Sequence, residues 1–214
     1  MTDETHRRPI AARNLGVTQR IAALLIARGP SPNGISLIGM AAGLVAGLAF
    51  AATAWAPGAA SVFWLLGAVG VQARLAANLF DGMVAVGRGV ASPVGELFNE
   101  VPDRVSDTAV LVGLGVAAGD VALGLAAALA AMLTAYVRTT ARSAGAPSDF
   151  SGPMAKQQRM ALATALAVWC ALAPGGWSGG AWAPWAVLVV IGLGSVLTAW
   201  RRLARAAAAL EAGR

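Results

Sequence analysis

Lysine, cysteine, histidine and tyrosine each occur once in these 214 residues, at Lys156, Cys170, His6 and Tyr136. A lone cysteine excludes an intramolecular disulfide, and Cys170 lies in an apolar run where it reads as a small lipid- or core-facing residue. His6 sits in a polar tail with nothing around it to suggest a role. Charge is scarce as well, at 12% of residues, about half of what a soluble domain carries. Residues 1–16 hold Arg7, Arg8 and Arg13 but no apolar stretch resembling a signal peptide. The basic residues are not interleaved with aromatics, which argues against a platform for nucleic-acid bases despite the net charge of +6.

What the chain has instead is apolar length. It is 57% hydrophobic with a mean hydropathy of +0.67, and several runs approach the roughly 20 residues that cross a bilayer. The sequence predicts an all-α integral membrane protein. Six transmembrane helices are expected near Gly34–Ala54, Ala59–Ala85, Val94–Ala118, Val121–Ser143, Lys156–Ala173 and Ala186–Trp200. A short amphipathic helix over Val17–Ala27 precedes them, with Ile21, Leu24 and Leu25 on one face between Arg20 and Arg28. It reads either as lying on an anionic membrane surface or as a lead-in helix packed on the protein. Residues 1–29 form the N-terminal segment, 30–205 the membrane domain and 206–214 an Ala-rich tail.

Six spans put both termini on one side. All sixteen Lys and Arg residues then fall on that side or in the helix ends facing it, while the opposite loops (55–58, 119–120 and 174–185) have none. The positive-inside rule makes that side cytoplasmic, with the inner membrane as location. Trp177, Trp182 and Trp185 fit an interfacial belt. Gly67, Gly70, Gly113, Gly115, Gly192 and Gly194 suit close helix packing, within the chain or between copies.

Against this background the stretch 78–107 stands out, because ionisable groups at membrane depth are costly and mark function by default. Asn78, Asp81 and Ala85 share one helix face, and Gly95, Asn99, Asp103 and Asp107 share one face of the next. Two helices meeting at the Gly87–Pro93 break would point two sets of oxygen ligands into one pocket, a geometry suited to a hard divalent cation and a phosphate. Glu96 and Glu100 flank Asn99 as further carboxylates, Glu96 being the better placed for the same face.

These residues resemble the CDP-alcohol phosphotransferases, whose pattern is D-x2-D-G-x2-A-R-x8-G-x3-D-x3-D. Asp81, Gly82, Ala85, Gly95 and Asp103 match at the required spacing, while Asn78, Val86 and Asn99 replace Asp, Arg and Asp. Ser31-Pro32-Asn33 and Tyr136-Val137-Arg138 are similar to the family's Thr-Pro-Asn and Tyr-x-Arg, and Lys156 and Arg159 stand where members keep basic groups. The resemblance covers about residues 30–205. It implies transfer of a substituted phosphate from a CDP-alcohol, commonly CDP-diacylglycerol, to an acceptor alcohol with release of CMP.

It further implies Mg²⁺ or Mn²⁺ held by Asp81 with Asn78, Asn99, Asp103 and Glu96, and Asp103 as the catalytic base. Asn78, Asp81, Gly82, Ala85 and Gly95 would bind CDP, and Arg138, Arg142, Lys156 and Arg159 the acceptor or its phosphate. A homodimer is implied too. Arg88, two residues past Val86, is a candidate to replace the missing arginine, or simply a loop charge. Asp107 reads as an ion-pair partner for Arg74, Arg104 or Arg138. A second reading is a catalytically silent relative that binds CDP-lipid or scaffolds lipid enzymes, motivated by the two missing aspartates.

Overall fold

The computed structural model describes residues 11–173 and 180–212, and all regular structure among them is helical. His6, Arg7, Arg8 and Trp177 lie outside the described residues. The helices are α1 (Gly16–Arg28), α2 (Pro32–Ala52), α3 (Ala60–Gly87), α4 (Pro93–Ala117), α5 (Val121–Ser143), α6 (Lys156–Leu172) and α7 (Trp182–Ala212).

Local signals set the boundaries. α2 and α4 open alike: Ser31 accepts from the Gly34 amide at 3.0 Å, Ser92 from the Gly95 amide at 3.1 Å, and a proline holds the first helical position in each. Asp120 caps α5 through the Leu123 amide at 2.8 Å. Gly29, at φ 88°, ends α1 in the left-handed conformation that a side chain disfavours. The tail expected after residue 205 is instead continuous with α7, since its alanines favour helix and nothing breaks it before Ala212.

Four segments are long and apolar enough to cross a membrane: Pro32–Ala52, Pro57–Gly87, Val121–Ser143 and Trp182–Ala212. The chain is therefore a multi-pass membrane protein. α4 differs because its first half carries Glu96, Glu100, Asp103, Arg104 and Asp107, and α6 is only 17 residues long. Both are nonetheless packed into the bundle: α2 lies against α3 and α4, α5 against α4 and α7, and α6 against α3. Ile38, Leu48, Val69, Leu129 and Leu193 point outward, an apolar exterior suited to lipid. α1 rests on α3 through buried Thr18 and Ala22 and leaves Val17, Ile21 and Leu24 exposed, the arrangement of a helix with a lipid-facing side.

In lipid, helix association relies on close packing rather than on the hydrophobic effect. The interior shows how that is met. Phe50 and Trp64 pack with their rings tilted by 43° and 5.4 Å between centroids, and Val110, Leu111, Leu114, Met160, Leu188 and Ile191 are fully enclosed. Where α2 crosses α4 the backbones touch. A Cβ on Gly113 would come within 2.9 Å of the Gly47 Cα, and one on Gly47 within 2.6 Å of the Ala109 carbonyl carbon. Gly67 accommodates the Phe50 ring, Gly70 faces Ala46, Gly115 faces Gly124 and Gly194 faces Met154. These glycines serve packing within one chain.

Overpacking of this kind costs about 2 kcal/mol, so Gly113→Val should lower the Tm of the purified protein by roughly 6 °C. Gly16→Ala, where a Cβ meets nothing within 4 Å, should leave Tm unchanged. Thermal unfolding in detergent compares the two directly.

Candidate functional site

The start of α2, the end of α3, the start of α4, the end of α5, the start of α6 and the later part of α7 meet at one end of the bundle. They enclose a cavity of ≈ 960 Å³. Asn78, Asp81, Gly82 and Ala85 line it from α3, and Gly95, Glu96, Asn99 and Asp103 from α4. Arg138 and Arg142 enter from α5, and Lys156 and Arg159 from α6. The residues expected to hold metal, CDP and acceptor therefore line one cavity, while Asp107, on the same face of α4, does not. A second, polar recess of ≈ 10 Å³, about the size of one water, lies among Ser36, Arg74, Asn78, Asp81, Asn99 and Asp103.

Arg74 organises the floor. It sits one helical turn before Asn78 and is only 2% exposed. Its Nη2 lies 2.9 Å from Asp103 Oδ1 and 2.7 Å from Asp107 Oδ1, and donates to the Asp103 carbonyl at 3.0 Å. The Asp107 contact is ionic rather than a well-aligned hydrogen bond. Asp107 Oδ2 meets Arg159 Nη2 at 3.4 Å, and Arg159 also donates to the Met154 carbonyl at 2.9 Å. Two carboxylates on α4 thus join α3 to α6. Asp107 has the ion-pair role expected for it, with Arg74 and Arg159 as partners.

Around the cavity each acidic group has a partner. Asn78 Nδ2 donates to Asn99 Oδ1 at 2.7 Å and to Asp103 Oδ1 at 3.1 Å. The Lys156 ammonium is hydrogen-bonded to Asp103 Oδ2. Asp81 Oδ2 accepts from Ser36 Oγ at 2.6 Å and Oδ1 from the Gly82 amide at 2.5 Å. Glu100 accepts from Arg138 and from Arg104, each at 2.7 Å, and Arg138 lies over the Phe150 ring at 4.8 Å. Glu96 pairs with Arg142. In the loop above, burial alone would raise the Asp149 pKa, but bonds from Ser151 and Arg205 outweigh it and hold the carboxyl below its ordinary value.

Arg88 takes a third course. Its guanidinium donates to the carbonyls of Leu25 (2.8 Å), Ile26 (2.7 Å) and Pro30 (2.8 Å), capping the end of α1 and fixing it at the cavity rim. It is neither a bare loop charge nor simply turned toward the cavity.

Sequence reading missed Ser36, the partner of Asp81, and Arg202, which donates to the Ser151 and Thr134 carbonyls from α7. It also missed Arg13, whose guanidinium approaches Gly82. The i, i+4 relation of Arg74 to Asn78 was a readable signal for the floor. Ser36 and Arg13 had none, because their roles depend on how distant segments are brought together.

The bundle is that of a membrane protein with a charged cavity at one end. Comparison with known proteins narrows the class. No family model matches. The chain is 27% identical over 194 residues to phosphatidylinositol phosphate synthase of Mycobacteroides abscessus, covering 87% of this chain and 82% of that protein. Its fold is that of the Mycobacterium tuberculosis phosphatidylinositol phosphate synthase PgsA1. The structure of that enzyme with CDP-DAG bound superposes with a TM-score of 0.73 at 21% identity, over 90% of this chain and 94% of the other. The complex with manganese and citrate gives 0.72 at 22% identity, over 88% of each chain. These relatives are CDP-alcohol phosphatidyltransferases, so the resemblance read from the motif holds in overall sequence and in fold.

Removing one partner from a buried ion-pair network costs about 3 kcal/mol or more. Asp107→Asn should therefore destabilise the protein by that amount in the absence of any ligand, read as a lower Tm, whereas Glu96→Gln at the exposed pair should not.

Proposed function

We propose that the protein is a CDP-alcohol phosphotransferase that moves a phosphatidyl group from CDP-diacylglycerol to an acceptor alcohol and releases CMP. The observation that carries the reading is the convergence of Asp81 and Asp103 with Lys156, Arg138 and Arg142 in one cavity, at the end of a bundle folded like a CDP-DAG-binding relative. Six spans, with both termini and the cavity on the cytoplasmic side of the inner membrane, accommodate this arrangement. α4 and α6 then supply the two spans whose charged ends form the site.

In this reading Asn78, Asp81, Gly82, Ala85 and Gly95 receive the cytidine diphosphate. The small residues allow the ligand close to the backbone. The acceptor hydroxyl attacks the phosphorus that bears the diacylglycerol, Asp103 takes its proton, and CMP leaves. Arg74 and Lys156 contact the two carboxylate oxygens of Asp103 and so fix its orientation before substrate enters. Arg138 and Arg142 present guanidinium groups to an acceptor carrying phosphate, once Glu100 and Glu96 yield them.

A relative's structure holds manganese, and a divalent metal would supply charge to the donor diphosphate. The residues that would face it here are Asn78, Asp81, Asn99, Asp103 and Glu96. They do not fit a tightly held ion: two are amides, Glu96 is paired with Arg142, and Asp103 is paired with Arg74 and Lys156. Among the described residues no three His, Cys, Asp or Glu side chains are grouped to hold one.

Purified protein given CDP-diacylglycerol and a panel of polyol and polyol-phosphate acceptors should release CMP with one of them. Asp103→Asn should lower the rate by about 10²–10⁴-fold while the protein remains folded. Release at wild-type rate by that variant would remove Asp103 as base. Saturable CDP-lipid binding without release from any acceptor would favour the catalytically silent relative.

A further inference from the structure

Lys156 is the chain's single lysine among sixteen basic residues, and it is buried, only 5% exposed, with its ammonium on the motif's last aspartate. Building on the donor-site reading, we infer that Lys156 is the resident cation of this site: with Arg74 it takes the position at Asp103 that a divalent metal would need, and the CDP diphosphate is clamped by protein cations without a metal.

Charge is the first argument. The two carboxylates of the motif, Asp81 and Asp103, face two cations, Lys156 and Arg74, in the same enclosed region. The cavity lining as a whole carries eight Arg and Lys side chains against four Asp and Glu. A divalent cation would have to enter beside an ammonium and a guanidinium, where like-charge repulsion at low dielectric is severe.

The oxygen inventory is the second. A hard divalent ion needs about six oxygen ligands. Both oxygens of Asp103 are already engaged: Oδ1 lies 2.9 Å from Arg74 Nη2 in an ion pair and accepts from Asn78, and Oδ2 accepts from Lys156. Both oxygens of Asp81 accept from Ser36 and Gly82. Asn99 Oδ1 accepts from Asn78 Nδ2 at 2.7 Å. The two asparagines thus bring N–H donors and internal pairing into the place where a metal wants lone pairs.

Residue type is the third. Elsewhere the chain uses arginine, whose planar fork suits fixed carboxylate pairs. An ammonium is a compact point charge on a flexible stem. It can swing from Asp103 to a diphosphate oxygen when CDP enters and free the Asp103 carboxylate as it does so. With Asn78 and Asn99 the motif holds two anionic charges fewer, and the Lys156 ammonium already rests on Asp103.

The test uses full-length protein in detergent, freed of metal with EDTA. Binding of CDP-diacylglycerol is measured with EDTA and with added Mn²⁺, and Mn²⁺ binding is titrated separately by electron paramagnetic resonance without lipid. The inference expects equal lipid affinity in the two conditions, no saturable Mn²⁺ site below millimolar concentration, and a loss of about tenfold or more in lipid affinity in Lys156→Met. Lys156→Arg, which preserves the charge if Lys156→Met does not fold, should retain part of the affinity. Asn78→Asp/Asn99→Asp/Lys156→Met should acquire Mn²⁺ binding. A micromolar Mn²⁺ site in the wild-type protein, or lipid binding lost in EDTA and restored by Mn²⁺, overturns the inference and leaves the donor site standing. No lipid binding under either condition overturns the donor reading and the clamp with it. The lipid-free titration still decides the cation.

Discussion

A guanidinium buried between two carboxylates, Arg74 between Asp103 and Asp107, is the contact on which the rest of this structure depends. Bare charges at membrane depth are untenable, and paired ones are tolerated only when the pairing is complete. Asp103 and Asp107 lie one turn apart on α4, so a single arginine from α3 reaches both, while Lys156 and Arg159 reach their outer oxygens from α6. Helices α3, α4 and α6 are thereby held in one relative position. That position fixes the mouth of the cavity.

The opposite end of the bundle makes this possible. Glycine contacts such as Gly47 on Gly113 bring α2 and α4 to backbone distance. α4 is thus seated in the bundle despite its five charged side chains, which face the cavity and its floor rather than lipid. The apolar exterior, the close-packed interior and the charged end form a gradient along each helix. The cavity lies where the helix ends are richest in arginine.

Much of this was legible in the sequence because it depends on spacing. The faces 78, 81, 85 and 95, 99, 103, 107 follow from helical periodicity, and the break between them from the glycines and proline of 87–93. Pairing was less legible. That Arg159 turns to Asp107, that Glu100 is shared by Arg104 and Arg138, and that Arg88 caps α1 are consequences of how helices distant in sequence cross. Ser36 became visible only once α2 lay beside Asp81. Arg201, Arg202 and Arg205 mark the end of the apolar run but not of the helix, which the following alanines carry on to Ala212.

The central claim is that the cavity between the end of α3 and the start of α4 receives a cytidine diphosphate lipid. Photo-crosslinking with a CDP-lipid bearing a reactive group on the cytosine, followed by peptide mapping, tests it most directly. The account predicts adducts in 78–88 and 92–99 that disappear when excess CDP is present. Adducts confined to the outer, lipid-facing sides of the helices, or adducts that CDP does not displace, would contradict it.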